Sequence, residues 1–226
     1  MQDQLKALLS AEEKAAELFR VIQSRGLIRP GLTEKEINTS VFDLAKELFG
    51  IEKYWHKRIV RAGSNTLHPY DVNPPNLTLK QDDIVFLDFG PIFDHWEADF
   101  GRTYVLGDDP IKIKLAHDSE RLWHEANQYF LKNPTITGAQ LYAFCTELAQ
   151  NNGWEFGGPI AGHLIGSFPH EKLDKEDKTN YIHPENHISM NQLDTSGNQR
   201  FWIIEIHLVD RELKVGSFFE QLAVKH

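Results

Sequence analysis

The strongest constraint on the fold is a set of four carboxylates in or beside otherwise apolar segments: Asp88, Asp99, Glu205 and Glu220. An isolated carboxylate in an apolar strand must be paired, protonated or bound to a metal, because burying a bare charge is costly. Asp88 and Asp99 are eleven residues apart and Glu205 and Glu220 are fifteen apart, which suits two hairpins. If the hairpins present these acids on one sheet face, hard divalent metal ions could hold the resulting cluster together. The alternative for each acid is an edge-strand position that faces water.

Hydrophobic periodicity, capping boxes at Thr33 and Thr137 and an N-cap at Asp109 predict two rounds of helices followed by strands. The predicted helices cover 5–24, 34–49, 110–131 and 138–152, and the predicted strands cover 84–89, 103–106, 201–209 and 216–224. This order predicts an α+β fold with helices covering one face of a sheet. The glycine-rich segment 157–162 is expected to be flexible, and 171–199 is expected to be a long solvated loop.

Composition and charge exclude several classes of protein. With 226 residues, 41% of them hydrophobic and 25% charged, the chain is expected to be globular rather than disordered or fibrous. The net charge of −9 argues against a nucleic-acid partner, and the basic, aromatic segment 55–58 is too short to form a nucleic-acid-binding face. We find no apolar stretch of the roughly 18 residues that a membrane span needs and no secretory signal pattern. Together with Cys145 as the single cysteine, these features predict a cytoplasmic protein without a membrane partner.

A histidine that follows the glycine-rich segment, His163, would add a nitrogen ligand to the four carboxylates. The chain resembles the pita-bread metallopeptidases in the runs 83–88 and 98–107, in the segment 162–170 and in the two late glutamates. That family includes methionine aminopeptidases, aminopeptidase P, prolidase and creatinase. The resemblance covers essentially the whole chain and implies a single pita-bread catalytic domain over 1–226, without a separate N-terminal domain. It also implies a pseudo-two-fold sheet with helices on its outer face.

The resemblance further implies two divalent metal ions. Asp88, Asp99 and Glu220 would hold one metal, and the other would be held by Asp99, His163, Glu205 and Glu220. Because four carboxylates and one imidazole favour hard or borderline ions, manganese is expected ahead of cobalt, iron and zinc.

Three residues have implied catalytic roles. His68 and His170 resemble the family's outer histidines, which face the substrate, and Glu205 could move a proton as well as bind metal. The implied activity is that of an aminopeptidase or dipeptidase that cleaves short peptides by a metal-bridged hydroxide. Its substrate would be a small peptide or another small molecule, and a homodimer is left open.

Some positions depart from the proline-specific members of the family. Pro159 stands where they carry a histidine, and Phe218 stands where they carry an arginine. Their Glu-Pro pair at the fourth ligand is replaced by Glu205 and Ile206, and the next residue, His207, would lie either near the metals or on a sheet edge. The sequence therefore predicts Xaa-Pro peptidase-like chemistry with only a weak preference for proline.

Two other functions fit the same resemblance. One is a creatinase-like hydrolase of small-molecule C–N bonds, and the other is a catalytically silent binding module. Members of both kinds typically lose metal ligands, whereas this chain has all five implied ligands.

Overall fold

The computed structural model describes residues 2–168 and 177–224. The four α-helices are α1 (Gln2–Ser24), α2 (Glu34–Phe49), α3 (Pro110–Lys132) and α4 (Gly138–Asn151). The nine strands are β1 (Ile59–Ala62), β2 (Ile84–Phe89), β3 (Ile92–Phe93), β4 (Trp96–Glu97), β5 (Phe100–Val105), β6 (Glu155–Phe156), β7 (Gly162–Ile165), β8 (Phe201–Asp210) and β9 (Val215–Leu222). Short 3₁₀ turns cover Gly63–Leu67 and Lys178–Asn180.

Seven of the strands form one antiparallel sheet with a symmetric order. Along the sheet the strands are β1-β2-β5-β9-β8-β6, and β7 also pairs with β8. The first half of the chain therefore supplies β1, β2 and β5, while the second half supplies β9, β8, β7 and β6. The two halves meet where β5 pairs with β9, and β3 and β4 form a separate hairpin.

The first pair of helices covers the back of the first half of the sheet. Phe19 of α1 and Val41 of α2 lie in one apolar cluster with Val85 and Leu87, whose side chains alternate along β2 with those of Phe86 and Asp88. Because the helices pack against the Val85 and Leu87 face of β2, the side chains of Phe86 and Asp88 lie on the opposite face, away from the helices.

The second pair of helices covers the other half in the same way. Trp123 of α3 is fully buried against β8, and its indole nitrogen donates a 2.8 Å hydrogen bond to the carbonyl of Ile204. Leu141 of α4 belongs to the same cluster, together with Ile206 and Leu208 of β8. The α+β prediction is therefore confirmed, with each half of the sheet backed by its own helix pair.

Helix starts were predicted well, and some connecting segments were not. Thr33 and Thr137 both form capping boxes, and Asp109 caps α3. The described part of the predicted solvated loop, 177–199, has no α-helix or strand and is mostly exposed or half-buried, as predicted, but the side chains of Ile182, Asn186 and Met190 are buried. Five short strands were not predicted from the sequence: β1, β3, β4, β6 and β7. Among the described helices, none is both long and apolar enough to cross a bilayer.

We expect the single cysteine to be almost inert in the folded protein. Cys145 of α4 is 1% exposed, and burial raises the pKa of its thiol to about 12. Because the thiolate is the reactive form, labelling by an aromatic disulfide reagent at pH 8 should be at least roughly 100-fold slower in buffer than in concentrated urea. Equal rates in the two solvents would show that α4 does not pack on the sheet as described.

Candidate metal centre

Strand register brings three of the four acids into one row across the sheet. Asp88 of β2 lies opposite Gly101 of β5, which lies opposite Glu220 of β9, which lies opposite Glu205 of β8. Asp99 immediately precedes β5 and completes the group. We call Asp88, Asp99, Glu205 and Glu220 the acidic cluster. Two hairpins thus present their acids on one face, as the spacing predicted.

Gly101 makes room for the cluster at the centre of this row. A Cβ atom at this position would lie 2.6 Å from ring carbons of Phe218 and 3.0 Å from the Cβ of Glu220. Contacts that short are repulsive, so only glycine lets the two halves approach closely enough for Asp88 and Glu220 to share one site.

Two histidines contact opposite oxygens of Asp99. Nε2 of His163 lies 3.1 Å from Oδ2 of Asp99, and Nε2 of His56 lies 3.1 Å from Oδ1. Nε2 of His163 is also 3.7 Å from a carboxylate oxygen of Glu220, and Nε2 of His56 is 3.6 Å from one of Asp88. Asp99, 3% exposed, is therefore the centre of the site.

His56, which lies in the irregular segment before β1, was not predicted as a site residue. The backbone nitrogen of Trp55 donates to the carbonyl of Gly90, and its indole nitrogen donates to the carbonyl of Ala98, both at 3.0 Å. A Cβ atom at Gly90 would lie only 2.1 Å from the His56 ring. The position of His56 thus depends on residues more than thirty positions later, and no local pattern in segment 55–58 signals it.

The potential ligand atoms fall into two groups. Within the described residues, one group is His56, Asp88 and Asp99, and the other is Asp99, His163 and Glu220, and in each the atoms lie within 4.8 Å of one another. Glu205 is outside both groups but faces Glu220 across the β8–β9 pair and shares a hydrogen bond with it.

Burial and mutual repulsion make three of the acids hard to ionise. Burial raises the pKa of Asp88 and of Glu205 to about 7, and burial together with the charges of Asp99 and Asp88 raises the pKa of Glu220 well above its usual range. Burial also acts on Asp99, but His56 and His163 outweigh it and lower its pKa to about 2. The cluster can therefore keep all four acids ionised at neutral pH only if a further positive charge is added to that of the two histidines.

Unsatisfied atoms support the same conclusion. Oδ1 of Asp88 and Oε2 of Glu220 are buried and lack a hydrogen-bond partner among the described residues. Buried carboxylate oxygens without a donor are costly, whereas a divalent cation would satisfy both. The donor set of carboxylates and imidazoles therefore fits metal ions.

The sequence also singled out three other histidines, His68, His170 and His207. His170 lies outside the described residues. His68 ends the 3₁₀ turn Gly63–Leu67 and belongs to neither ligand group found among the described residues. His207 lies neither on an edge nor at the cluster, because it is buried between the rings of Phe86 and Phe218. Its Nε2 donates a 2.8 Å hydrogen bond to the carbonyl of Thr66.

Comparison of the sequence with known proteins identifies one family of metallopeptidases. Residues 6–195 match the model of Metallopeptidase family M24. A Mycoplasma genitalium protein provisionally called a Xaa-Pro aminopeptidase is 28% identical over 188 residues, covering 80% of this chain and 52% of the relative. The chain spans about half the length of the curated relatives it matches.

Solved structures show the same fold. An X-Pro aminopeptidase from Thermotoga maritima superposes with a TM-score of 0.75 at 20% identity, covering all of this chain and 62% of that one. A methionine aminopeptidase from Thermotoga maritima superposes with a TM-score of 0.70 at 17% identity, covering 100% of this chain and 98% of the other. At this identity the likeness concerns the fold alone.

We expect the metal-free protein to be destabilised by Glu205 as the pH rises. Because its folded-state pKa is about 7 and its ordinary value is 4.5, folding favours the protonated form, and that stability is lost between pH 4.5 and above pH 7. Near pH 4.5 a Glu205→Gln variant should have the same free energy of unfolding as the wild type. Near pH 9 urea unfolding should show the variant to be more stable than the wild type by ~1–3 kcal/mol. A constant difference across that pH range would contradict this assignment.

Proposed function

Because the chain belongs to metallopeptidase family M24 and has the pita-bread fold, we propose that it is a dinuclear metal-dependent aminopeptidase or dipeptidase for short peptides. The observation that carries this proposal is the buried acidic cluster around Asp99, with its unsatisfied oxygens on Asp88 and Glu220. Four acids would not be gathered on one buried face for stability alone, since their mutual repulsion opposes folding.

The proposed ligands are the acidic cluster and His163. Asp88, Asp99 and Glu220 would hold one metal, while Asp99, His163, Glu205 and Glu220 would hold the other. Two divalent ions bound there supply Lewis-acid chemistry, which activates water and polarises the scissile carbonyl. Oxygen-rich donors favour manganese, with cobalt, iron and zinc as alternatives.

Other side chains would position the substrate and move protons. Glu205 is the proposed proton carrier because it is the least buried of the four acids. His68 and His170 are proposed to hydrogen-bond the substrate, as the family resemblance implies. A cytoplasmic location and self-association stay predictions.

An apolar wall beside the cluster bears on specificity. Ile59, Phe86 and Phe218 form a small buried cluster, with the two rings 5.2 Å apart. Phe86 and Phe218 lie two residues before Asp88 and Glu220 on the same strand faces. Beside the proposed metals, position 218 therefore presents an apolar ring with no hydrogen-bond donor, where the resemblance implies an arginine in proline-specific members of the family.

We expect hydrolysis to require metal. Chelation should abolish cleavage of short peptides, and Mn²⁺ or Co²⁺ should restore it. Glu220→Ala removes a shared ligand, so its metal content should fall below two per chain with at least a 100-fold loss of kcat/KM, roughly 3 kcal/mol. The matched control is Glu212→Ala, an exposed glutamate in the turn that joins the two glutamate-bearing strands. A fully active metal-free preparation, or equal effects of both substitutions, would contradict the proposal.

We also expect only a weak preference for proline. Apolar contacts discriminate by about 1–3 kcal/mol per methylene, whereas the larger ratios need paired polar groups. With matched tripeptides carrying Pro or Ala at the second position, the ratio of kcat/KM should stay below roughly 100. A larger ratio would mean that donors other than those of the family act on the substrate. Cleavage of neither peptide by metal-loaded protein would instead favour a small-molecule C–N hydrolase or a binding module.

A further inference from the structure

We propose that His56 is a sixth protein ligand of the metal centre. Its Nε2 would bind the metal held by Asp88, Asp99 and Glu220, so that each of the two metals has one imidazole. This inference rests on the proposed function, and it adds a residue beyond the five that the family resemblance implies.

The two histidines have the same geometry at the site. Each directs Nε2 at a different oxygen of Asp99 from 3.1 Å, and each places Nδ1 2.8 Å from the carbonyl oxygen of the next residue, Lys57 or Leu164. The side chains are also equally buried, 8% exposed for His56 and 9% for His163. The orientation, hydrogen bonding and burial that make His163 a suitable metal ligand are therefore also those of His56.

The bond from Nδ1 fixes which nitrogen is available. Because a carbonyl can only accept, Nδ1 of His56 must carry a proton, so Nε2 of a neutral ring has a free lone pair. A histidine oriented by donating Nδ1–H to a backbone carbonyl, with Nε2 free, is the usual arrangement of a metal ligand.

Distances between the donor atoms suit a shared ion. Two ligand atoms bonded to one metal at about 2.1 Å lie about 3.0 Å apart at a right angle and about 3.4 Å apart at a tetrahedral angle. Nε2 of His56 lies 3.1 Å from Asp99 and 3.6 Å from Asp88, and the corresponding distances from His163 to Asp99 and Glu220 are 3.1 and 3.7 Å. The two groups thus have nearly the same dimensions.

The topology gives the same pairing. His163 lies on β7, which pairs with β8, and His56 lies three residues before β1, which pairs with β2 in the symmetric place. Each half of the sheet then contributes one imidazole and two carboxylates. The indole of Trp55 lies between the imidazoles, 4.5 Å from the ring of His56 and 5.2 Å from that of His163.

A second imidazole would change which ions the centre prefers. Nitrogen ligands suit zinc, iron and cobalt better than magnesium or calcium, and a neutral ligand adds no repulsion to the acidic cluster. We therefore expect the metal at Asp88 to discriminate against magnesium and calcium nearly as well as the metal at His163.

The experiment is to count imidazole ligands in metal-loaded protein. X-ray absorption fine structure of the wild type with two Co²⁺ or Zn²⁺ ions should give an average of one imidazole per metal, and His56→Ala and His163→Ala should each halve it. Calorimetry should show at least a 100-fold loss of affinity for one ion in His56→Ala, since even outer-shell changes cost 10–100-fold. The control is His117→Ala, an exposed histidine on α3, which should change neither measurement.

Each outcome is decisive. Wild-type protein with two metals but an average of half an imidazole per metal would overturn the role of His56 and leave the proposed function intact. So would a His56→Ala variant that keeps both ions at wild-type affinity. If that variant fails to fold, the wild-type count still decides, and His56→Gln serves for calorimetry. Failure of the wild type to bind two metals would overturn the proposed function itself.

Discussion

The burial of four carboxylates on one sheet face is the constraint on which the rest of this structure depends. Asp99 stays ionised because two imidazoles contact its two oxygens, while burial makes the other three acids hard to ionise. Such a cluster opposes folding, since each ionised acid repels the others in a site of low dielectric. The stability of the fold must therefore come from other contacts, which hold the acids together against their mutual repulsion.

Alternation along the strands reconciles these demands. Glu205 faces the site while its neighbours Ile204 and Ile206 pack behind it against the helices of the second half, and Asp88 alternates in the same way with Leu87 and Phe89. Because successive side chains point to opposite faces, one strand can supply both an apolar back and a polar front. The two helix pairs thus stabilise the same strands whose front faces carry the acids.

Much of the site was predictable because its signals are local or regular. An acid within an apolar run identifies Asp88, Glu205 and Glu220, and hairpin spacing correctly groups them. The position of His56 depends instead on hydrogen bonds from Trp55 to Gly90 and Ala98, which no periodicity records. The polar composition of segment 177–199 correctly predicts a loop, but it does not reveal the three buried side chains that anchor the loop, Ile182, Asn186 and Met190.

The site also lies where the two halves of the sheet have least backbone pairing. β5 and β9 share the single register pair Gly101 and Glu220, supplemented by two hydrogen bonds of the Thr103 hydroxyl to the backbone of Phe218. Ions bound by Asp99 from one half and Glu220 from the other would cross this junction. Because a ligand that binds only the folded state stabilises it in proportion to the logarithm of its concentration, metal binding would join the halves as well as neutralise the cluster. Metal binding would then remove the repulsion that opposes folding of the metal-free chain, and it would do so at the junction where the two halves share the least backbone pairing.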